Sequence, residues 1–391
     1  MTRTGSGRED WEVLLGRPSG GISATAVAAA VGGRRVLITG AGGSIGAALA
    51  MAVAPYARLL LLDASERALY ELDRELDRAL PAGGPGDGPG HRLVLGDAGD
   101  ARLLASLFAE DGPQVVFHAA AFKHVPLLEQ NPVAAIANNV LATRTLLEAA
   151  GECDDFVLVS TDKAVDPRSI MGASKRVAEL LLLAPSQARV RRHAVRLGNV
   201  LGSDGSVLLL FLDQLARGVP LTVADPEVRR YFMTVDEAVG ALVSAAAAPV
   251  SQLSPPATCL AAPELGCPVR ILELAQRVLA RAGAEPGGGV VFTGLRPGDK
   301  LEESLLAGGE RWGAPGVAGA GQVGGGLRAI DSPVAEAGVL KRAMRELEGA
   351  VGERDICRLL RAVMELVPGY EPSSMLAPYL DLATARAEAV R

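Results

Sequence analysis

The chain has 391 residues, 49% hydrophobic and 21% charged, with a net charge of −6 and a mean hydropathy of +0.24. That apolar content supports a large core and excludes wholesale disorder, and at roughly 150 residues per domain the length allows two to three units. An acidic chain with no basic tract is not expected to bind nucleic acid. No apolar run approaches the ~18 residues of a membrane span. Four scattered cysteines (Cys153, Cys259, Cys267, Cys357) indicate neither a disulfide framework nor a metal site.

In chain order, residues 1–33 read as an N-terminal arm with one short helix. Arg35–Thr39 (RVLIT) is a buried strand, followed by glycines and a helical stretch from Ala47 to Ala54. Leu59–Leu62 is a second strand ending at Asp63, and Ser65–Leu80 carries apolar residues at helical spacing. Residues 81–90 (PAGGPGDGPG) are a loop insert. Strands then follow at Leu93–Leu95, Val115–His118, Phe156–Ser160 and Val195–Leu197, alternating with helices at Ala101–Phe108, Val133–Ala149 and Gly172–Leu183. Continuous apolar strands alternating with helices predict an α/β fold: a Rossmann-type doubly wound parallel sheet over residues 34–197. Residues 198–306 read as a smaller mixed unit, and 307–391 as a Gly-rich loop (308–326) and two closing helices, Val334–Leu347 and Arg354–Leu366.

The segment Thr39–Gly46 (TGAGGSIG) lies between the first strand and the first helix of that alternation. Gly40 permits the tight turn, Gly43 the backbone's approach to a pyrophosphate, and Gly46 close helix–strand packing. The N–H groups at the helix start, around Ser44 and Ile45, then face the anion. Asp63, 17 positions after Gly46, is placed to accept hydrogen bonds from adenosine ribose hydroxyls and to repel a 2′-phosphate, so NAD is favoured over NADP. Asp97 and Ala98 follow the third strand, where they meet the adenine. Ala119, Ala120 and Ala121 follow the fourth; they either let a cofactor pass closely or simply pack.

The fifth strand runs into Thr161-Asp162-Lys163, and strand C-termini in open parallel sheets face the ligand crevice. Met171 and Lys175, four apart, share a helix face, which places Lys175 to reach the nicotinamide ribose. Only five side chains in the whole sequence are lysines, and Lys123, Lys163, Lys175 and Lys300 fall inside such motifs. In an arginine-biased chain, a retained lysine points to a need for a tunable pKa.

These motifs resemble the extended short-chain dehydrogenases/reductases, and within them the polysaccharide-biosynthesis 4,6-dehydratases that act on UDP-N-acetylglucosamine. The resemblance rests on VLITGAGGSIG (36–46), HAAAFKHVPLLEQNP (118–132), NNVLATRTLLEAA (138–150), FVLVSTDKAVDPRSIMGASKR (156–176), RLGNVLGSDGSV (196–207), RRYFMTVDEA (229–238) and GLRPGDKLEE (294–303). It runs in order over roughly residues 11–306. It implies a nucleotide-sugar substrate, tightly held NAD, and a homo-oligomer. Met171 stands where most of the class carry a tyrosine that exchanges a proton; methionine there is usual in the long dehydratase subfamily. The O4 proton then falls to Lys175 or to Thr161. The resemblance further implies Lys163 as the C5 base, Asp162 as the acid for the departing C6 hydroxyl, and Thr161 bonded to the C4 oxygen. Adjacent side chains on a strand point opposite ways, so a local twist is required to aim Asp162 and Lys163 together.

On the substrate side the resemblance implies Lys123, Asn199, Ser206, Arg230 and Arg296 around the sugar and its diphosphate, with His124 either a contact or structural. Asp204, an acid near a diphosphate, is expected to point away. Longer relatives carry N-terminal membrane helices; this sequence is expected to be a free-standing cytoplasmic unit with no membrane insertion. The product is expected to retain its C5 configuration. A 5,6-dehydratase, an epimerase, and a non-catalytic dinucleotide sensor are the competing readings.

Overall fold

The computed structural model describes residues 8–80, 90–186, 188–247, 258–283, 289–313 and 326–381. Most of the insert at 81–90 and of the Gly-rich stretch at 308–326 lies outside the described residues. Six parallel strands form the frame: β1 (Arg35–Thr39), β2 (Arg58–Asp63), β3 (His91–Leu95), β4 (Val115–His118), β5 (Asp155–Thr161) and β6 (Arg191–Leu197). Their order across the sheet is β3-β2-β1-β4-β5-β6, the doubly wound arrangement expected from the sequence. The order reverses between β1 and β4, which are paired from Val36↔Val115 to Thr39↔His118. The crevice beyond that pair is where such sheets bind ligands.

Beyond β6 the chain returns to the same sheet. Strand Thr258–Pro263 pairs parallel with β6; Leu327–Asp331 and then Arg311–Trp312 extend the edge antiparallel. Segment 198–306 therefore contributes to the sheet as well as to the smaller unit. That unit holds three two-stranded pairs and a separate core built on Leu208, Phe211, Leu274 and Val278.

Two expected elements differ. The N-terminal arm carries two helices, Arg8–Leu15 and Ala24–Val31, not one. Leu14 and Leu15 pack into the smaller unit's core, and Arg17 pairs with Glu237 at 2.6 Å. The single long helix expected over 133–149 is instead Pro132–Ile136, a π-helical turn over Ala137–Leu141, and Ala142–Ala149. A π turn inserts one extra residue and re-aims the side chains around it. The closing helices span Ala337–Glu353 and Ile356–Leu366, and pack against helix Ile170–Leu183 in a second core that includes Leu347, Leu360 and Val363. Among the described residues, no helix is long and apolar enough to cross a membrane.

Candidate active site

Gly40 has φ +66°, and a Cβ there would lie 2.6 Å from the Ala120 backbone. A Cβ on Gly46 would lie 2.1 Å from the Gly40 carbonyl oxygen. Both close approaches exist only because glycine lacks that atom. Helix Ser44–Val53 starts at Gly43 with no side-chain cap, so its first N–H groups are presented to the crevice. Asp63 accepts a hydrogen bond from the Gly42 N–H at 2.9 Å and so braces the loop from the end of β2. Exposed Asp97 accepts from the Gly99 N–H, beside buried Ala98. The Ala119 N–H donates to the Thr39 carbonyl at 3.1 Å. A glycine cradle, an uncapped helix N-terminus and a carboxylate at the end of β2 fit a dinucleotide.

Asp204 is a correction to the sequence reading. Its carboxylate accepts a hydrogen bond from the Ser44 hydroxyl at 2.9 Å, and its N–H donates back to Ser44 Oγ at 3.0 Å. It does not turn away: Asp204 brings the loop 202–206 across the phosphate turn.

Three adjoining cavities of about 490, 280 and 330 Å³ run from the glycine loop to the smaller unit. Thr161, Lys163, Met171 and Lys175 all line the middle one. β5 ends at Thr161, and Asp162–Ala164 turns as a 3₁₀ helix capped by the Thr161 hydroxyl. That turn brings the two side chains into contact, but only Lys163 is aimed into the cavity. Lys163 Nζ donates to Asp162 Oδ1 at 3.0 Å and to Asn199 Oδ1 at 2.7 Å. Asp162 itself is fully buried and lies behind the cavity wall. The Thr161 hydroxyl, which does line the cavity, donates to Asp162 Oδ1 at 2.9 Å, while Oδ2 has no partner among the described residues.

Lys175 is 5% exposed, and among the described residues its ammonium makes no hydrogen bond. Burial lowers its pKa to about 8; Glu179, one turn further along the helix, opposes that shift. Met171 is 3% exposed and offers the cavity a thioether. His118, fully buried, has its pKa lowered to about 3 by desolvation and by the charge of Lys175, so it is neutral. The Thr143 hydroxyl donates to the Asn139 carbonyl, which assigns the Nε2 proton of His118 to Thr143 and leaves Nδ1 accepting from Thr39.

The outermost cavity is lined by Lys123, His124, Asn199, Ser206, Arg230 and Arg296, so the predicted substrate-side residues do come together. Their engagements differ. Arg230 is buried, and its guanidinium donates to the carbonyls of Lys300 and Leu301. Exposed Arg296 pairs with Asp299 at 2.9 Å. Ser206 stands at the N-cap position of helix Val207–Ala216 without a side-chain cap bond, and its buried hydroxyl lacks a partner among the described residues. The His124 ring covers Gly205, where a Cβ would come within 2.3 Å of Cε1.

Sequence reasoning missed two groups. Asn139, in the π turn, exchanges hydrogen bonds with the Phe122 backbone and donates to Ser174 at 3.0 Å, tying the Lys123 segment to the Lys175 helix. Behind Lys175, Arg196 is wholly buried between Glu179 (2.8 Å) and Glu310 (2.6 Å), with Arg176 also on Glu179 and Ser160 donating to it. The segment NNVLATRTLLEAA (138–150) contains the first without marking it out; nothing local signals the second.

The sheet order, the glycine cradle and the lysine beyond β5 define an extended short-chain dehydrogenase/reductase fold. The profile of the family described as "Polysaccharide biosynthesis protein" matches residues 36–315, and the chain belongs to that family. It is 38% identical over 306 residues to the capsular polysaccharide biosynthesis protein CapD of Staphylococcus aureus, covering 75% of this chain and 49% of that protein. The chain thus spans about half the length of the curated relatives it matches. It is also 40% identical over 154 residues to a UDP-glucose 4-epimerase of Rickettsia canadensis, over 38% of this chain and 45% of that protein. Among solved structures, the dTDP-glucose 4,6-dehydratase DesIV of Streptomyces venezuelae, with NAD bound, superposes with a TM-score of 0.57 at 24% identity, covering 70% of this chain and 89% of that one.

Proposed function

We propose that this chain is an NAD-dependent 4,6-dehydratase of a UDP-N-acetylhexosamine, with UDP-N-acetylglucosamine as the first substrate to test. The product is the UDP-4-keto-6-deoxy sugar with C5 configuration retained. The observation that carries the reading is the middle cavity, where Lys163 and Lys175 converge beside Met171 with the carboxylate of Asp162 directly behind. NAD, when bound, supplies an acceptor for the C4 hydride and gives that hydride back at C6.

The chain's own residues do the rest. The glycine loop and Asp63 hold the cofactor's phosphates and adenosine ribose, and Lys175 holds its nicotinamide ribose. Met171 cannot exchange a proton, so Lys175, with a pKa of about 8, takes the O4 proton. The 4-keto group acidifies C5. Proton transfer from Lys163 to Asp162 along their 3.0 Å hydrogen bond creates both species the elimination needs: a neutral amine to take the C5 proton and a carboxylic acid to protonate the leaving C6 hydroxyl. The Thr161 hydroxyl is the cavity-facing atom through which that proton passes. Water leaves; as C6 is reduced, protonated Lys163 gives a proton back to C5, and exchange with solvent then restores the Lys163–Asp162 pair to its charged form. Lys123, Asn199, Ser206 and Arg296 surround the substrate's diphosphate and sugar, with Arg230 bracing the turn at 300–301.

The test is incubation with UDP-N-acetylglucosamine in heavy water, followed by NMR. A 6-deoxy-4-keto product carrying deuterium at C5 supports the reading; a 5,6-alkene or no turnover of any nucleotide sugar overturns it. The identity to the rickettsial epimerase favours one second reading, inversion at C4. It predicts a product that keeps its C6 oxygen, and the same spectrum separates the two.

A further inference from the structure

Helix Ile170–Leu183 carries Met171 and Lys175 in its first two turns, so its N-terminus sets where both side chains stand. The first N–H groups of a helix have no partner within it. Ser169 caps one, accepting from the Gly172 N–H at 3.1 Å. The Ile170 N–H is satisfied from outside: it donates to Glu129 Oε1 at 2.7 Å. Glu129 comes from helix Val125–Gln130, directly after Lys123 and His124, and is 1% exposed. A buried carboxylate at that place gains both a charge-assisted hydrogen bond and the favourable end of the helix dipole.

The other oxygen of Glu129 is also held. Oε2 accepts from the Ser373 hydroxyl, 244 residues away in the chain. Ser373 follows the two closing helices and lies outside the family match at 36–315. Two residues earlier, Glu371 pairs with Arg168, on the turn that leads into helix Ile170–Leu183 and at the rim of the outer cavity. The same turn is held from the substrate side, where Lys300 Nζ donates to the Val165 carbonyl at 2.9 Å.

We propose that Glu129 is a positioning residue: it caps the Met171/Lys175 helix from a separate element, and Ser373 of the C-terminal segment locks it in that pose. The C-terminal helices thereby help set the geometry of the cavity, not only cover a core. The catalytic consequence rests on the dehydratase reading; the capping itself does not.

The experiment uses the full chain with Ser373→Ala, Ser373→Thr and Glu129→Gln. The first readout is amide hydrogen exchange over residues 170–175, which needs no substrate. Losing one hydrogen bond to a charged group predicts roughly tenfold faster exchange there in Ser373→Ala, with the β1–β6 amides unchanged. Ser373→Thr, which keeps the hydroxyl, restores slow exchange. Glu129→Gln shows a larger local increase, because a neutral amide caps less well. The second readout is turnover: kcat falls about three- to tenfold in Ser373→Ala with KM little changed. Unchanged exchange at 170–175, or a rise spread evenly over the molecule, overturns the proposal. Local exchange that rises while no nucleotide sugar turns over even in the unaltered protein supports the capping and sinks the dehydratase reading alone.

Discussion

Gly172 is where the two halves of the candidate site touch. A Cβ built there would lie 2.2 Å from the Lys163 carbonyl oxygen and 3.1 Å from the Lys163 carbonyl carbon and Pro167 Cβ. Carbon and carbonyl oxygen need roughly 3.2 Å, so Gly172→Ala requires the Lys163 turn and the Lys175 helix to part by about 1 Å. Two effects compete. Alanine in place of glycine within a helix gains about 1 kcal/mol. Overpacking a rigid backbone contact costs about 1–3 kcal/mol. The atoms it would meet are backbone and a proline ring, with no flexible tip to swing aside, so the clash wins and stability falls by up to about 2 kcal/mol. The effect on rate is larger: a 1 Å misplacement of reacting groups costs on the order of a hundredfold. Calorimetry, cofactor content and kcat on the purified variant measure all three quantities. We expect a melting temperature lowered by a few degrees, NAD retained because the glycine loop is untouched, and kcat down about a hundredfold. A variant as stable and as active as the parent would refute the claim that this close approach sets the spacing of Lys163 and Lys175.

Two further outcomes follow from buried charges. Lys175 is held at a pKa of about 8 against an ordinary 10.5; turnover should therefore rise with pH through about 8, and Lys175→Met should abolish it. Because the folded pKa is lowered, the unfolded chain binds more protons between pH 8 and 10.5, so Lys175 costs stability below pH 8 and the cost is relieved as pH rises through that window; denaturant titrations of the parent and of Lys175→Met at pH 7 and 10 check the sign. Arg196→Met leaves buried Glu179 and Glu310 with only Arg176 between them and should destabilise the fold, by at most about 3–5 kcal/mol. Burial works to raise the Glu179 pKa, but Arg196 outweighs it and holds it at about 2; that stabilisation is complete above about pH 4.5 and lost as pH falls toward 2, which acid unfolding curves of the two proteins would reveal.

What was legible in the sequence had local causes. The glycine loop requires backbone approaches that only glycine permits, and strand–loop–helix order is written in adjacent residues, so Gly40, Gly43, Gly46 and Asp63 could be placed from the chain alone. Met171 and Lys175 were aligned by helical spacing. What was hidden depends on partners far apart in the chain. Arg196 meets Glu310 across 114 positions, and Arg230 spends its guanidinium on the carbonyls of residues 300–301. Asp204 met Ser44 instead of avoiding an anion site, since a loop's path over the phosphate turn has no sequence period. Asp162 and Lys163 are adjacent, yet their shared bond depends on a 3₁₀ turn that a strand pattern conceals. The π turn hid inside an unbroken helical pattern, because one inserted residue leaves the apolar spacing almost intact.

The scarcity of lysine gives the molecule an unplanned chemical selectivity. Lys123, Lys163 and Lys175 line the middle cavity, Lys300 lines the outer one, and Lys341 stands exposed on helix Ala337–Glu353. An amine-directed reagent therefore meets four of the five lysine side chains inside one cleft. Lys175, its pKa lowered to about 8 by burial, offers a partly neutral amine there, and Lys341, exposed and outside the cleft, serves as an internal control. Mass-resolved acylation, with and without a candidate nucleotide sugar, becomes a map of cleft occupancy that requires neither an assay of turnover nor a labelled ligand.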